Sequence, residues 1–257
     1  MRENAMLRGV LIDWGGVLTT GLAESVAEWI EADRIDPHHY REVMSTLIVH
    51  AYEGGLGPGD NPVHALERGE LPAAEFERRV AARLRTLDGG QPEADGLLAR
   101  MFAGFRPLDE MNAMLRLARA AGLSTCLLSN SWGNDYPRDD WDEIFDAVVI
   151  SGEVGMRKPE ERIFRHALGL LSLEPGQCVF VDDIEANIVA ARALGLVGVH
   201  HLEPAATIAE LERLFRTPLR ASPSPDVPDS PDVLGVPVFP ASPAPGGPGR
   251  PATPERL

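Results

Sequence analysis

Asp13 closes a short apolar run, Val10-Leu11-Ile12, and the chain then breaks at Gly15-Gly16. A buried strand that carries one carboxylate to its C-terminal tip has this pattern. Other polar residues stand at comparable places. Ser129-Asn130 follow the apolar run 123–128, and Asp182-Asp183 follow 178–181, with Asn187 four residues beyond. Lys158, in Gly-Met-Arg-Lys-Pro-Glu, stands just before a helical stretch. If these strands form one parallel sheet, all but Lys158 lie on the same edge, and Lys158 can reach it. Three acids at one point repel one another unless a divalent cation joins them, and Mg²⁺ prefers carboxylate oxygens, water and phosphate. Lys158 and the Ser129 hydroxyl then supply donors for phosphate oxygens, and one carboxylate is left to attack. Taken singly, each residue has a plainer role: Asp13 or Ser129 as a helix cap or turn former, Asn187 as a loop cap.

The elements that must position these groups follow from the hydrophobic period. From 107 the chain alternates helix and strand: helices at 108–121, 140–145, 159–170 and 184–194, strands at 123–128, 147–150, 178–181 and 196–202. Short apolar strands between helices predict an α/β fold, a parallel sheet with helices on both faces. Residues 20–106 differ, reading as helices at 22–33, 40–52, 72–87 and 93–102 with no convincing strand. Within them 53–59 is glycine-rich and reads as a flexible segment, and 64–76 reads as a helix stopped by Gly69 and a second begun near Pro72. The charges of 64–76 read as a solvated face. Beyond 217 the chain holds more than half of its 22 prolines, with Ser, Gly and Asp and almost no period, so 218–257 is expected to be a disordered Pro-rich tail.

Composition limits the partners. The 24 Lys+Arg against 39 Asp+Glu give a formal charge of −15, which disfavours nucleic acid or an anionic membrane as partner. A small anionic metabolite stays possible where a metal ion reverses the local sign. Cys126 and Cys178 belong to no metal-binding spacing and read as buried, reduced thiols. Without a signal peptide or a long apolar run, a cytoplasmic location is expected.

The ordered set of elements resembles the haloacid dehalogenase-like superfamily. Asp-x-Gly-Gly-Val-Leu at 13–18, Ser-Asn at 129–130, Lys-Pro-x-x-x-Ile-Phe at 158–164 and Val-Asp-Asp-x-x-x-Asn at 181–187 carry the match. Glu-Arg-Gly-Glu at 67–70 and the run around Lys158 are similar to the branch of bacterial glucose-1-phosphatases and of the phosphatase domain of soluble epoxide hydrolases. The resemblance covers roughly 8–215. It implies a Rossmann-like core (1–19 and 107–217) with an inserted α-helical cap (20–106). It also implies a Mg²⁺-dependent phosphatase acting on a small phosphorylated metabolite, of sugar-phosphate type. Asp13 would be the nucleophile, forming an aspartyl-phosphate. Mg²⁺ would sit among Asp13, the Gly15 carbonyl and Asp183, with Asp182 and Asn187 supporting. Ser129 and Asn130 would hold phosphate, and Lys158 would neutralise charge.

One position departs from the family pattern. These phosphatases usually carry a second Asp two residues after the nucleophile as general acid, and here Gly15 stands there. That favours substrates with good leaving groups, or an acid from the cap, for which His64, Glu67 and Glu70 are candidates that read more simply as surface residues. The alternatives are a non-catalytic module binding a phosphorylated ligand or partner, and a metal-independent dehalogenase. The retained Asp13, Lys158 and Asp183 count against the first, and the paired acids 182–183 against the second. Oligomeric state is not encoded in any of these features.

Overall fold

The computed structural model describes residues 6–52, 61–133 and 136–220, the side chains of 48–52 excepted. The glycine-rich segment 53–59 and the tail from 221 on lie outside the described residues. Ordered packing runs past Pro218: Leu219 is buried in the apolar cluster of the sheet, and its N–H donates to Glu212 Oε1 at 2.9 Å.

Five strands form one parallel sheet: β1 (Gly9–Ile12), β2 (Ser124–Ser129), β3 (Ala147–Ile150), β4 (Cys178–Asp182) and β5 (Val197–His200). Their spatial order is β3-β2-β1-β4-β5. The chain therefore goes one way from β1 and then returns to β1's other side, which places a crevice at the carboxyl ends of β1 and β4. Successive residues of a strand serve opposite faces. Val10 and Ile12 join the cluster packed by α6 (Asp109–Ala120) and α11 (Pro204–Phe215). Leu11 joins the cluster packed by α9 (Glu161–Leu171) and α10 (Glu185–Ala193). Both free cysteines lie in this second cluster, and burial pushes the Cys178 thiol up to about 12.

Between β1 and α6 run α1 (Leu22–Ala32), α2 (Pro37–Tyr52), α3 (Pro62–Glu67), α4 (Ala73–Ala81) and α5 (Leu97–Phe102). They bury an apolar cluster of their own, including Trp29, Phe76, Leu84 and Met101. The two connections to the sheet run side by side: Thr20 N donates to Arg106 O at 2.8 Å and Leu108 N to Leu18 O at 2.9 Å. Two helices are shorter than their apolar period suggests. The fourth stops at Ala81 because the chain turns to bring Thr86 beside Ile35 in an isolated antiparallel bridge. The fifth begins at Leu97 because Glu93 accepts from the Ala94 and Asp95 N–H groups and holds that stretch as a turn.

Candidate active site

Sheet register brings the acids together. Ile12 pairs with Val181, so the next residues on the two strands, Asp13 and Asp182, leave the sheet side by side, and Asp13 N donates to Val181 O at 3.0 Å. Ser129 closes β2 on the other side of β1. Asp183 follows at the cavity floor. Gly16, at φ +75°, passes so close that a Cβ there would collide with the Asp183 carboxylate. The glycine at 16 is thus needed for backbone conformation and for space.

Lys158 is the hub. Its Nζ lies 2.7 Å from Asp13 Oδ1 and 2.7 Å from Asp182 Oδ2, and the side chain is buried. Asp182 is held in turn by Ile184 N at 2.8 Å and by Asn187 Nδ2 at 3.0 and 3.1 Å to its two oxygens. Burial alone would push Lys158 down, yet the two carboxylates beside it hold its ammonium above the ordinary lysine value. Asp13 stands raised to about 7: burial pushes it up most, Lys158 pulls against that, and Asp182 and Asp183 add to the rise. Desolvation, then Asp182, also raises Asp183. One ammonium does not offset three acids, so the cluster is electrostatically short of positive charge.

That deficit is the test for a cation. Carboxylate oxygens of Asp13, Asp182 and Asp183 all lie within 4.8 Å of one another. An all-oxygen donor set of this span suits a small hard cation such as Mg²⁺, completed by water or phosphate. Asn187 lines the same cavity, and its Oδ1 is buried with no hydrogen-bond partner among the described residues.

Asn130 also holds the Lys158 backbone. Its Oδ1 accepts from Lys158 N at 2.8 Å and its Nδ2 donates to Lys158 O at 3.0 Å. An amide nitrogen carries two hydrogens, so this pair of bonds leaves one N–H of Asn130 for a further acceptor. Ser129 Oγ lies 3.0 Å from the Tyr136 hydroxyl, at the cavity floor.

Glu67 corrects the expectation of a solvated face. Asn61 caps α3 at Val63 N, and at the far end of that helix Glu67 is fully buried. It makes an ion pair with buried Arg157, the residue before Lys158, and accepts from Trp132 Nε1 at 3.2 Å. Ser151 Oγ donates to its backbone carbonyl at 2.5 Å. Sequence reasoning missed this because the partner stands ninety positions away; the usable signal was one Arg beside the active Lys and one Glu on a short helix. His64 is buried as well, whereas Glu70 is exposed and paired with Arg68. Glu67→Ala takes the carboxylate away from a buried guanidinium and is expected to cost about 3 kcal/mol. The Glu67→Met/Arg157→Met double variant should recover most of it. Urea unfolding of the three variants checks both statements.

These groups line one cavity of about 410 Å³. Asp13, Ser129, Lys158, Asp183 and Asn187 make its polar floor, and Glu67, Trp132, Tyr136, Phe102 and Phe105 rise above it. Trp14 stacks edge-on with Tyr136 and tilted against Trp141, and also reaches this cavity. Among the described residues no helix is long and apolar enough to cross a membrane.

Residues 7–195 match the family model for haloacid dehalogenase-like hydrolases. A sesquiterpene phosphatase of Aspergillus oryzae is 32% identical over 114 residues, covering 42% of this chain and 58% of that protein. The bifunctional epoxide hydrolase 2 of Rattus norvegicus is 33% identical over 128 residues, 47% of this chain and 23% of that one. The matched stretch thus spans just over half of the first relative and about a quarter of the second. A family enzyme of Bacteroides thetaiotaomicron superposes with TM-score 0.55 at 21% identity, over 77% of this chain and 94% of that one. The same protein has been crystallised with magnesium and inorganic phosphate, TM-score 0.50, 21% identity, 76% of this chain and 94% of that one.

Proposed function

Because the chain belongs to the haloacid dehalogenase-like hydrolases, matched from residue 7 to 195, we propose that it is a Mg²⁺-dependent phosphatase of small phosphate monoesters with Asp13 as nucleophile. The observation that carries this reading is Lys158, bonded at 2.7 Å to both Asp13 and Asp182, with Asp183 in the same carboxylate cluster. A site built only to bind an anion has no use for three acids. Phosphatase names among the relatives and the magnesium–phosphate complex of a structural neighbour agree with it.

In this reading an Asp13 oxygen attacks phosphorus while the bond to the leaving oxygen breaks, giving an aspartyl-phosphate and an alkoxide that takes its proton from water, since Gly15 offers no acid. Water then attacks the same phosphorus, the bond to Asp13 breaks, and inorganic phosphate leaves. Lys158 keeps Asp13 ionised against its burial and offsets charge on the transferring group. Ser129 donates to a phosphoryl oxygen once its contact with Tyr136 opens. Mg²⁺, held by Asp13, the Gly15 carbonyl and Asp183, would supply the remaining neutralisation of phosphate charge. Asp182 and Asn187 orient this set, Asp182 through Lys158 and Asn187 through Asp182. The helices from 20 to 106 act as a cap over the crevice and exclude water.

The test is phosphate release from 4-nitrophenyl phosphate and a panel of metabolite phosphates, with Mg²⁺ or with chelator. Turnover that needs the metal supports the reading, and its absence across the panel removes it. The missing acid at Gly15 gives a second test. A Cβ at Gly15 meets only Phe105 Cζ, at 3.8 Å, an ordinary contact, so the backbone there accepts a side chain. Gly15→Asp is expected to raise turnover of alkyl phosphates by about 10²-fold, at the low end of what a positioned acid gives. Its effect on 4-nitrophenyl phosphate should be much smaller, and a plot of rate against leaving-group pKa reads the difference.

A further inference from the structure

We infer that the substrate's organic part is apolar, an aryl or alkyl group rather than a polyhydroxylated sugar; this rests on the phosphatase reading above. The lining of the cavity is of two kinds. The carboxylates, Lys158 and Ser129 are enough for one phosphoryl group and a cation, and Leu22, Phe102, Phe105, Trp132 and Ile184 supply apolar surface, with Glu67 and Tyr136 among them. Phe102 lies 5.3 Å from Phe105 and 6.2 Å from Trp132 between ring centroids, so the three rings form one continuous surface.

Two polar side chains that interrupt this surface are engaged: Trp132 Nε1 donates to Glu67, and Glu67 pairs with Arg157. The Tyr136 hydroxyl is freed once Ser129 turns to phosphate. A sugar bound here would lose water from several hydroxyls and find few such partners among the described residues; an unmatched hydroxyl is penalised where a ring or alkyl group is favoured. Gly15 sharpens the point. With no side chain at 15, Phe105 Cζ stands 3.8 Å from where a Cβ would be, so the aromatic wall descends to the residue beside the nucleophile's neighbour. The atoms next to the scissile oxygen therefore meet a phenyl ring. A volume of about 410 Å³ holds a phosphoryl group and one ring or a short branched chain. It departs from the sugar-phosphate expectation drawn from family resemblance.

The experiment uses the full chain with Mg²⁺ and a series of n-alkyl phosphates from ethyl to hexyl, whose leaving groups have nearly the same pKa. Each methylene placed on the aromatic wall should raise kcat/KM about fourfold until the cavity is filled, the factor that burying one CH₂ gives. Glucose 6-phosphate should fall below propyl phosphate. Alkylphosphonates, which are not hydrolysed, should show the same order as dissociation constants read by tryptophan fluorescence. Phe102→Gln should flatten both series. A flat series in the wild type, or sugar phosphates exceeding hexyl phosphate, would overturn the inference while leaving the phosphatase intact. No metal-dependent release from any ester, 4-nitrophenyl phosphate included, would instead remove the phosphatase reading itself.

Discussion

Asp13→Asn is expected to lower phosphate release by at least about 10⁴-fold while the protein stays folded, because it removes the attacking oxyanion and changes little else. Asn has the same shape, and its amide oxygen can still accept from Lys158 Nζ and from Trp14 N, the two donors that Asp13 Oδ1 meets at 2.7 Å. Its neutrality is no burden to the fold. Burial and the neighbouring acids raise Asp13, so a neutral side chain of the same shape is tolerated at this position. Removing that charge should leave the melting temperature unchanged or slightly higher. Steady-state turnover and a thermal melt on the same preparation separate the two effects. Activity within tenfold of wild type would mean that another group attacks.

Lys158→Met should damage stability and chemistry together. Met has similar length but carries no charge, so buried Asp182 and Asp13 would face one another with the ammonium gone. Breaking a buried pair in this way costs about 3–5 kcal/mol, because the surviving charge stays desolvated. The loss of charge at the transferring phosphoryl group should lower kcat/KM by about 10³-fold. Adding Asp182→Asn to Lys158→Met should restore most of the stability and none of the activity. Urea unfolding of the single and double variants measures the first, and phosphate release the second. Recovery of activity in the double variant would show that Lys158 acts only on the fold.

The parts of this site that could be read from sequence are those set by local pattern. Val10-Leu11-Ile12 before Asp13 and the apolar run before Asp182-Asp183 fix two strand tips, and a parallel sheet then has few ways to separate them. The order of motifs gave the family, which the match over 7–195 bears out. What could not be read depends on contacts between distant segments. Glu67 looks like one more surface carboxylate until α3 is laid against the segment carrying Arg157. That the Asn130 amide brackets the Lys158 backbone could not be read from two segments 28 positions apart. Tyr136 and Trp132, in a segment with no helical or strand period, carried no signal at all, although both line the cavity. The early end of α4 has the same origin, since a bridge from Thr86 to Ile35 outweighs helical period.

The central claim is that Asp13 carries the phosphoryl group during turnover. The measurement that tests it most directly is rapid acid quench of the protein, loaded with Mg²⁺, during hydrolysis of 4-nitrophenyl phosphate, followed by mass spectrometry of its peptides. The account predicts a transient gain of one phosphoryl mass on the peptide containing Asp13, absent in Asp13→Asn. Steady turnover with no phosphorylated peptide under conditions that preserve acyl phosphates, or the label on a different residue, would contradict it.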